Sequence, residues 1–199
     1  MKIYFSPASP YVRKVMVVAH ELGLADRIER LPSAAGPVQR DATIRQDNPL
    51  GQVPTFFTDD GTVLYDSRVI CEYLDDLGGG RFFGSGAERW RNLTDAALGD
   101  GLLGAALLAR YEAVLRPEPL RWADWSRGQL EKVTDAVDRM EATDLGARLD
   151  IGTVTLGCGL GYLDFRFPEL DWRIGRPRVA AWYADFAQRP SMTATAPGG

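Results

Sequence analysis

Residues 48–67, Asn-Pro-Leu-Gly-Gln-Val-Pro-Thr-Phe-Phe-Thr-Asp-Asp-Gly-Thr-Val-Leu-Tyr-Asp-Ser, decide the fold of this chain. A Val-Pro step opens an apolar strand, Asp60-Gly61 turns it, and a second short strand ends at Asp66-Ser67. Proline cannot donate to a strand ladder and is kept out of strand interiors. Pro54 at a strand start therefore points to a cis peptide after Val53. Such a step turns the Val53 N–H and C=O away from the sheet. Asp66-Ser67 stands where a helix begins, so a carboxylate, a hydroxyl and free backbone donors converge there. The combination suits a small peptide-like ligand with its own amine and carboxylate.

Working outward, Lys2–Phe5 reads as a strand, and Ser9-Pro10 as a helix start with serine at the N-cap and proline at the first helical position. Val12, Val15, Met16, Ala19 and Leu22 follow at helical spacing until Gly23. Arg27–Leu31 is a second strand and residues 38–47 a short polar helix. Thr55–Phe57 and Thr62–Tyr65 form a hairpin. Ser67–Leu77 is a helix with Ile70, Tyr73, Leu74 and Leu77 on one face. Residues 80–86 are a Gly-rich linker in which Phe82 and Phe83 dock their rings. Beyond it the chain is helical, over residues 87–115, 119–142, 153–166 and 177–188, with a frayed tail. The expected organisation is an α/β domain over 1–79 and an all-α domain over 87–199.

The chain has 199 residues and a net charge of −4, which argues against nucleic acid as the main partner. Its apolar runs are too short for a membrane span, and Met-Lys-Ile-Tyr-Phe opens directly into a strand pattern rather than a signal peptide. Cys71 and Cys158 read as free thiols of a cytoplasmic protein. His20, the only histidine, has no triad partners and reads as a packing or surface residue. One His and two distant Cys cannot make a zinc site, so no metal is expected. Gly157-Cys158-Gly159-Leu160-Gly161 lacks a preceding strand and reads as close helix packing, not a dinucleotide loop. Trp122, Trp125, Trp172 and Trp182 read as core and domain-contact residues.

Four segments carry a resemblance: Ser-Pro-Ala-Ser-Pro-Tyr-Val-Arg-Lys (6–14), Asn-Pro-Leu-Gly-Gln-Val-Pro (48–54), Tyr-Asp-Ser (65–67) with Ile-Cys-Glu-Tyr-Leu (70–74), and Leu-Gly-Tyr-Leu-Asp-Phe-Arg (160–166). With them the chain resembles a cytosolic glutathione transferase of the bacterial serine- or cysteine-site kind. The resemblance implies a thioredoxin-like α/β N-terminal domain followed by an all-α C-terminal domain, a homodimer, and glutathione as co-substrate. It also implies Ser9 as the catalytic residue that stabilises the glutathione thiolate, helped by the backbone at Tyr11 and Val12 because Pro10 has no N–H. Arg13, one turn in, adds positive potential or points to solvent. Val53, beside Pro54, would pair with the cysteinyl backbone, and Asp66 and Ser67 would take the γ-glutamyl ammonium and carboxylate. Gln52 would lie at the glycyl end, which Arg40 sometimes reaches in the family.

The second substrate would be an electrophile, disulfide or peroxide, with Leu103, Leu107 and Tyr111 as lining candidates. The rival reading is a non-catalytic binding or regulatory member of the fold, and isomerase or dehalogenase chemistry stays open. Many members start the helix near 153 with Thr/Ser-x-x-Asp; here Leu156 replaces the acid, so the reciprocal cap is missing unless Asp150 substitutes.

Overall fold

The computed structural model describes residues 1–198. The chain divides into two compact units, Met1–Gly84 with Pro190–Gly199, and Ser85–Arg189. The expected division counts the residues from Pro190 onward with the helices, whereas here Pro190–Ala194 packs with the first unit.

The first unit holds β1 (Lys2–Tyr4), α1 (Pro10–Glu21), β2 (Glu29–Leu31), α2 (Ile44–Asp47), β3 (Phe56–Phe57), β4 (Val63–Leu64), α3 (Ser67–Leu77) and α8 (Pro190–Ala194). The sheet runs β2-β1-β3-β4, with β1 parallel to β2 and antiparallel to β3. Ile3 sits opposite Arg30 on one side and Phe56 on the other. Ile3, Val15, Ile44, Phe56, Ile70 and Leu74 are fully buried and form the core. This is the small mixed sheet that the residue pattern implies.

Two elements depart from the sequence pattern. The polar helix expected over 38–47 shrinks to Ile44–Asp47. Asp41 Oδ1 accepts from the N–H groups of Thr43 and Ile44 at 2.8 and 3.3 Å, which fixes the start there. Pro190–Ala194 forms a short helix, α8, that the sequence pattern does not give. Its Ser191 hydroxyl donates to Glu21 at 2.6 Å. Before the linker, Asp75 is nearly buried and accepts from the backbone N–H groups of Arg81, Phe82 and Phe83 at 2.9, 2.8 and 3.2 Å. Both phenylalanine rings are buried, as their docking requires.

The second unit consists of α4 (Gly86–Val114), α5 (Ala123–Glu141), α6 (Ile151–Arg166) and α7 (Pro177–Phe186). The cap of α6 corrects the sequence reading. Asp150 is the N-cap and Thr153 its reciprocal partner, each accepting the other's N–H at 3.0 Å, so the box exists three residues earlier than the family register suggests. Arg148 ties it down, reaching Asp150 at 2.9 Å and Asp95 at 2.7 Å. Trp172 is buried, but Trp122 and Trp125 are 62% and 40% exposed, stacked on each other at the surface instead of in the core. They flank the start of α5, where the Trp122 N–H donates to Glu112 at 2.8 Å.

Glycines let α4 and α6 approach closely. A Cβ on Gly99 would lie 2.8 Å from the Thr155 methyl, 2.9 Å from its carbonyl carbon and 3.0 Å from the Leu156 nitrogen. Two of those atoms are backbone, so the helix itself would have to move. Gly99→Ala is expected to cost on the order of 1–3 kcal/mol, the usual price of overpacking. In a domain this size that lowers the melting temperature by about 2–4 °C per kcal/mol. A calorimetric melt equal to that of the parent would contradict the close approach.

Candidate functional site

The candidate site is built from three pieces of the first unit. The first is the loop 48–55. Asn48 and Thr55 are buried, and the Asn48 amide donates to Thr55 Oγ1 at 2.8 Å. Thr55 Oγ1 donates to the Gln52 carbonyl at 2.7 Å, and the Leu50 N–H donates to Asn48 Oδ1 at 3.0 Å. This buried clasp fixes the loop from inside. The peptide between Val53 and Pro54 is cis, as the sequence indicates, and so is that between Tyr65 and Asp66. No hydrogen bond from another described residue reaches the Val53 N–H or carbonyl, so both are available to a ligand. The Gln52 side chain is exposed beside them. Arg40 donates to the Pro49 carbonyl and lies against Gly51, whose φ of +62° suits glycine. It is thus held by the loop.

The second piece is the start of α3. Asp66 is the N-cap, accepting from the Arg68 N–H at 3.0 Å, and its carboxylate also meets the Arg68 guanidinium at 2.9 Å. Partial burial pulls the Asp66 pKa up, but the Arg68 hydrogen bonds and the charges of Arg68 and Lys14 outweigh it. The net shift is downward, so the carboxylate is anionic at neutral pH. Lys14 supplies this second charge from a fully buried position in α1. Ser67 is buried at the first helical position, and neither its N–H nor its hydroxyl is taken by another described residue.

The third piece is the start of α1. Ser9 is the N-cap and half-buried, and its Oγ accepts from the Val12 N–H at 3.3 Å. That leaves the hydroxyl proton of Ser9 able to donate. The Val12 N–H, expected to face a ligand sulfur, is directed at Ser9 instead. Arg13 also differs from a solvent-facing reading. It is 8% exposed, with Nη2 donating to the Met192 carbonyl of α8 at 3.2 Å and with Nε and Nη1 buried without a described partner. Its burial comes from a segment nearly the whole chain away in sequence.

The sequence reading names Ser9, Gln52, Val53, Pro54, Asp66 and Ser67, which all lie in the first unit on the three pieces just described. It misses Arg68 as the competitor for Asp66, Lys14 as the buried charge, and Asn48 with Thr55 as the loop clasp. Asn48 and Thr55 carried a signal, two small polar residues flanking the Val-Pro step. Lys14 carried none, because its spacing is that of a surface residue. His20 is half-buried near the end of α1, its Nε2 without a described partner, and no triad surrounds it. Cys71 and Cys158 are buried free thiols. Among the described residues no group of three or more His, Cys, Asp or Glu could hold a metal, and no helix is long and apolar enough to cross a membrane.

A thioredoxin-like sheet with a cis-proline edge and a serine-capped first helix, followed by a helical unit, defines a recognised class of two-part thiol-handling proteins. Residues 8–77 match the sequence profile described as "Glutathione S-transferase, N-terminal domain", and residues 123–185 match "Glutathione S-transferase, C-terminal domain". The chain is 30% identical over 205 residues to the uncharacterized GST-like protein YibF of Escherichia coli K12, covering 99% of this chain and 98% of that one. A glutathione transferase family member from Pseudomonas fluorescens Pf-5, solved with bound glutathione, superposes with a TM-score of 0.96 at 47% identity, covering 100% of this chain and 99% of that one. A Pseudomonas fluorescens Pf-5 structure with bound S-(propanoic acid)-glutathione gives a TM-score of 0.92 at 44% identity, covering 99% of each chain. This chain belongs to the glutathione S-transferase family.

Proposed function

We propose that this protein binds glutathione in its first unit and activates the thiol for attack on a second substrate. The observation that carries the reading is the Val53 backbone edge, open on both its N–H and its carbonyl, with Asp66 and Ser67 at the start of α3. The open edge matches a cysteinyl peptide unit. The Asp66 carboxylate matches an ammonium, and the Ser67 N–H and hydroxyl match a carboxylate at a helix N-terminus. Pro54 shapes this edge, and Gln52 lies at the glycyl end. Arg68 competes for Asp66, but an exposed pair of this kind is worth only about 0–1 kcal/mol, so a ligand ammonium can displace it.

A free thiol has a pKa near ~8.5 and is mostly protonated at neutral pH. The partial positive charge at the start of α1, with the Ser9 hydroxyl, favours the thiolate. A relative that holds a propanoic acid conjugate of glutathione supports a transferase role. The use of Ser9 as a helix cap also fits a non-catalytic member of the fold, which would bind partners without thiol turnover. A panel of electrophiles, disulfides and peroxides assayed with glutathione separates the two: turnover of any class supports the enzyme, and none at all supports the module.

We also propose that the protein is a cytoplasmic homodimer. Tyr65, Val69 and Leu77 are exposed apolar residues on and beside α3 of the first unit, and Trp90 is 68% exposed on α4 of the second, each suited to contact with a second copy. Sedimentation at micromolar concentration is expected to give a dimer, through an interface of ~800 Å² or more per partner. A monomer would contradict this part of the reading.

A further inference from the structure

The second unit carries a surface groove of about 690 Å³ where the end of α4 meets the start of α5, a size within the ~300–1,000 Å³ of small-molecule sites. Its apolar floor is Ala113 of α4 with Ala123 and Leu130 of α5. Thr134 also lines it, but its hydroxyl donates to the Leu130 carbonyl one turn back at 3.1 Å. Charged side chains stand toward both ends of this floor. Glu112 and Arg121 lie by the start of α5, and Glu131 and Asp135 lie two to three turns along it.

The two ends differ in how far their charges are compensated. Glu112 is 6% exposed, and its carboxylate accepts from Arg116 Nε at 2.7 Å and from the Trp122 N–H at 2.8 Å. That backbone bond, then Arg116, with the charge of Arg121 behind them, holds its carboxyl below the usual range. The carboxylate and the two guanidiniums thus answer each other at this end. The other end has no such balance. Glu131 reaches only Arg127, at 3.7 Å, and Arg127 is held more closely by Asp124 at 2.8 Å. The Asp135 carboxylate has no partner among the described residues. Glu131 and Asp135 are four residues apart on one helix face, where like charges repel. A cation placed between them turns that repulsion into attraction. The groove therefore joins an uncompensated acidic end to an apolar floor.

We propose that this groove binds a small organic ammonium ion carried on an apolar body, with the ammonium at Glu131 and Asp135 and the body on Ala113, Ala123 and Leu130. Charge complementarity selects the occupant. An ammonium group brings three donors to two carboxylates, and such charge-assisted bonds are the strong ones. An anion would meet the two acids at one end and an already neutralised Arg121 at the other. Nothing in this depends on the glutathione reading, because every residue named belongs to the helical unit.

The test is titration calorimetry of the full chain with benzylamine, and with benzyl alcohol and methylamine as probes of charge and body. Benzylamine is expected to bind at least about tenfold more tightly than either, a gap of about 1.4 kcal/mol. Glu131→Gln and Asp135→Asn should each weaken benzylamine several-fold, and the double variant should bring it down to the level of benzyl alcohol. Ala113→Phe, at an exposed position on the floor, should block the body without touching a carboxylate and weaken benzylamine about tenfold. Asp135→Asn should not lower the melting temperature, since no partner is lost. Benzylamine should raise the melting temperature of the parent but not of the double variant. Equal binding of benzylamine and benzyl alcohol, equal binding of benzylamine and methylamine, or unchanged affinity in the double variant would overturn the site. Calcium ions that bind the parent as tightly as benzylamine would also overturn it, by reducing it to a bare acidic pair. Glutathione titrated in parallel reports the first unit separately, so its failure to bind would leave this result standing.

Discussion

Asp66→Asn is expected to weaken glutathione binding at least about tenfold while leaving α3 folded. Removing one member of a desolvated charge pair typically costs roughly 2–5 kcal/mol, because the partner charge is left without compensation. Asparagine is as good an N-cap as aspartate, so the Arg68 N–H keeps an acceptor and the helix start survives. Asp66→Ala should lose at least as much affinity, with an added cap cost of about 1 kcal/mol in stability. Arg68→Ala is the informative companion. It removes the competitor that lies 2.9 Å from Asp66, so glutathione affinity should hold or rise. Calorimetric titration reads all three. Equal affinity in parent and Asp66→Asn, or a drop in Arg68→Ala as large as that in Asp66→Asn, would remove Asp66 from the site.

The second large effect concerns Ser9. Ser9→Ala should leave glutathione affinity within a few-fold, since the Val53, Asp66 and Ser67 contacts are untouched. It should lower turnover at neutral pH by roughly tenfold or more. One hydrogen bond to a charged group is worth about 1.5–3 kcal/mol, which is about one to two pKa units. The sign follows directly. Ser9 stabilises the charged form of the thiol and so lowers its pKa, and its loss raises that pKa. Activity should therefore recover as the pH climbs through the raised value. Ser9→Gly separates the two jobs of the residue, because glycine costs only a few tenths of a kcal/mol at an N-cap yet has no hydroxyl. Ser6, whose carbonyl accepts from the Ser9 N–H at 3.1 Å in the same turn, is the control. A pH profile that moves in Ser6→Ala but not in Ser9→Ala would reassign the role.

Much of this was legible in the sequence, for local reasons. The Val53–Pro54 cis step, the Ser9-Pro10 helix start and the Asp66-Ser67 cap each depend on residues a few positions apart, where turn and cap chemistry dominates. What stayed hidden depends on distant partners. Arg13 reads as a surface cation by spacing, yet α8 covers it from the far end of the chain. Lys14 is buried for tertiary reasons that no periodicity reports. Asp150 was named as the substitute acid, but Thr153 as its reciprocal partner was not, because the family register looks for the acid after the threonine, not before it. Arg68 was overlooked because a residue two past an N-cap reads as solvent-facing, though its long side chain folds back onto the cap.

The most direct test of the account is an ultraviolet titration of the thiolate in the glutathione complex. Parent protein should hold glutathione half-ionised at a pH clearly below the ~8.5 of a free thiol, and Ser9→Ala should move that midpoint upward by about one unit or more. A bound thiol that titrates where free glutathione does, in parent and variant alike, would contradict it.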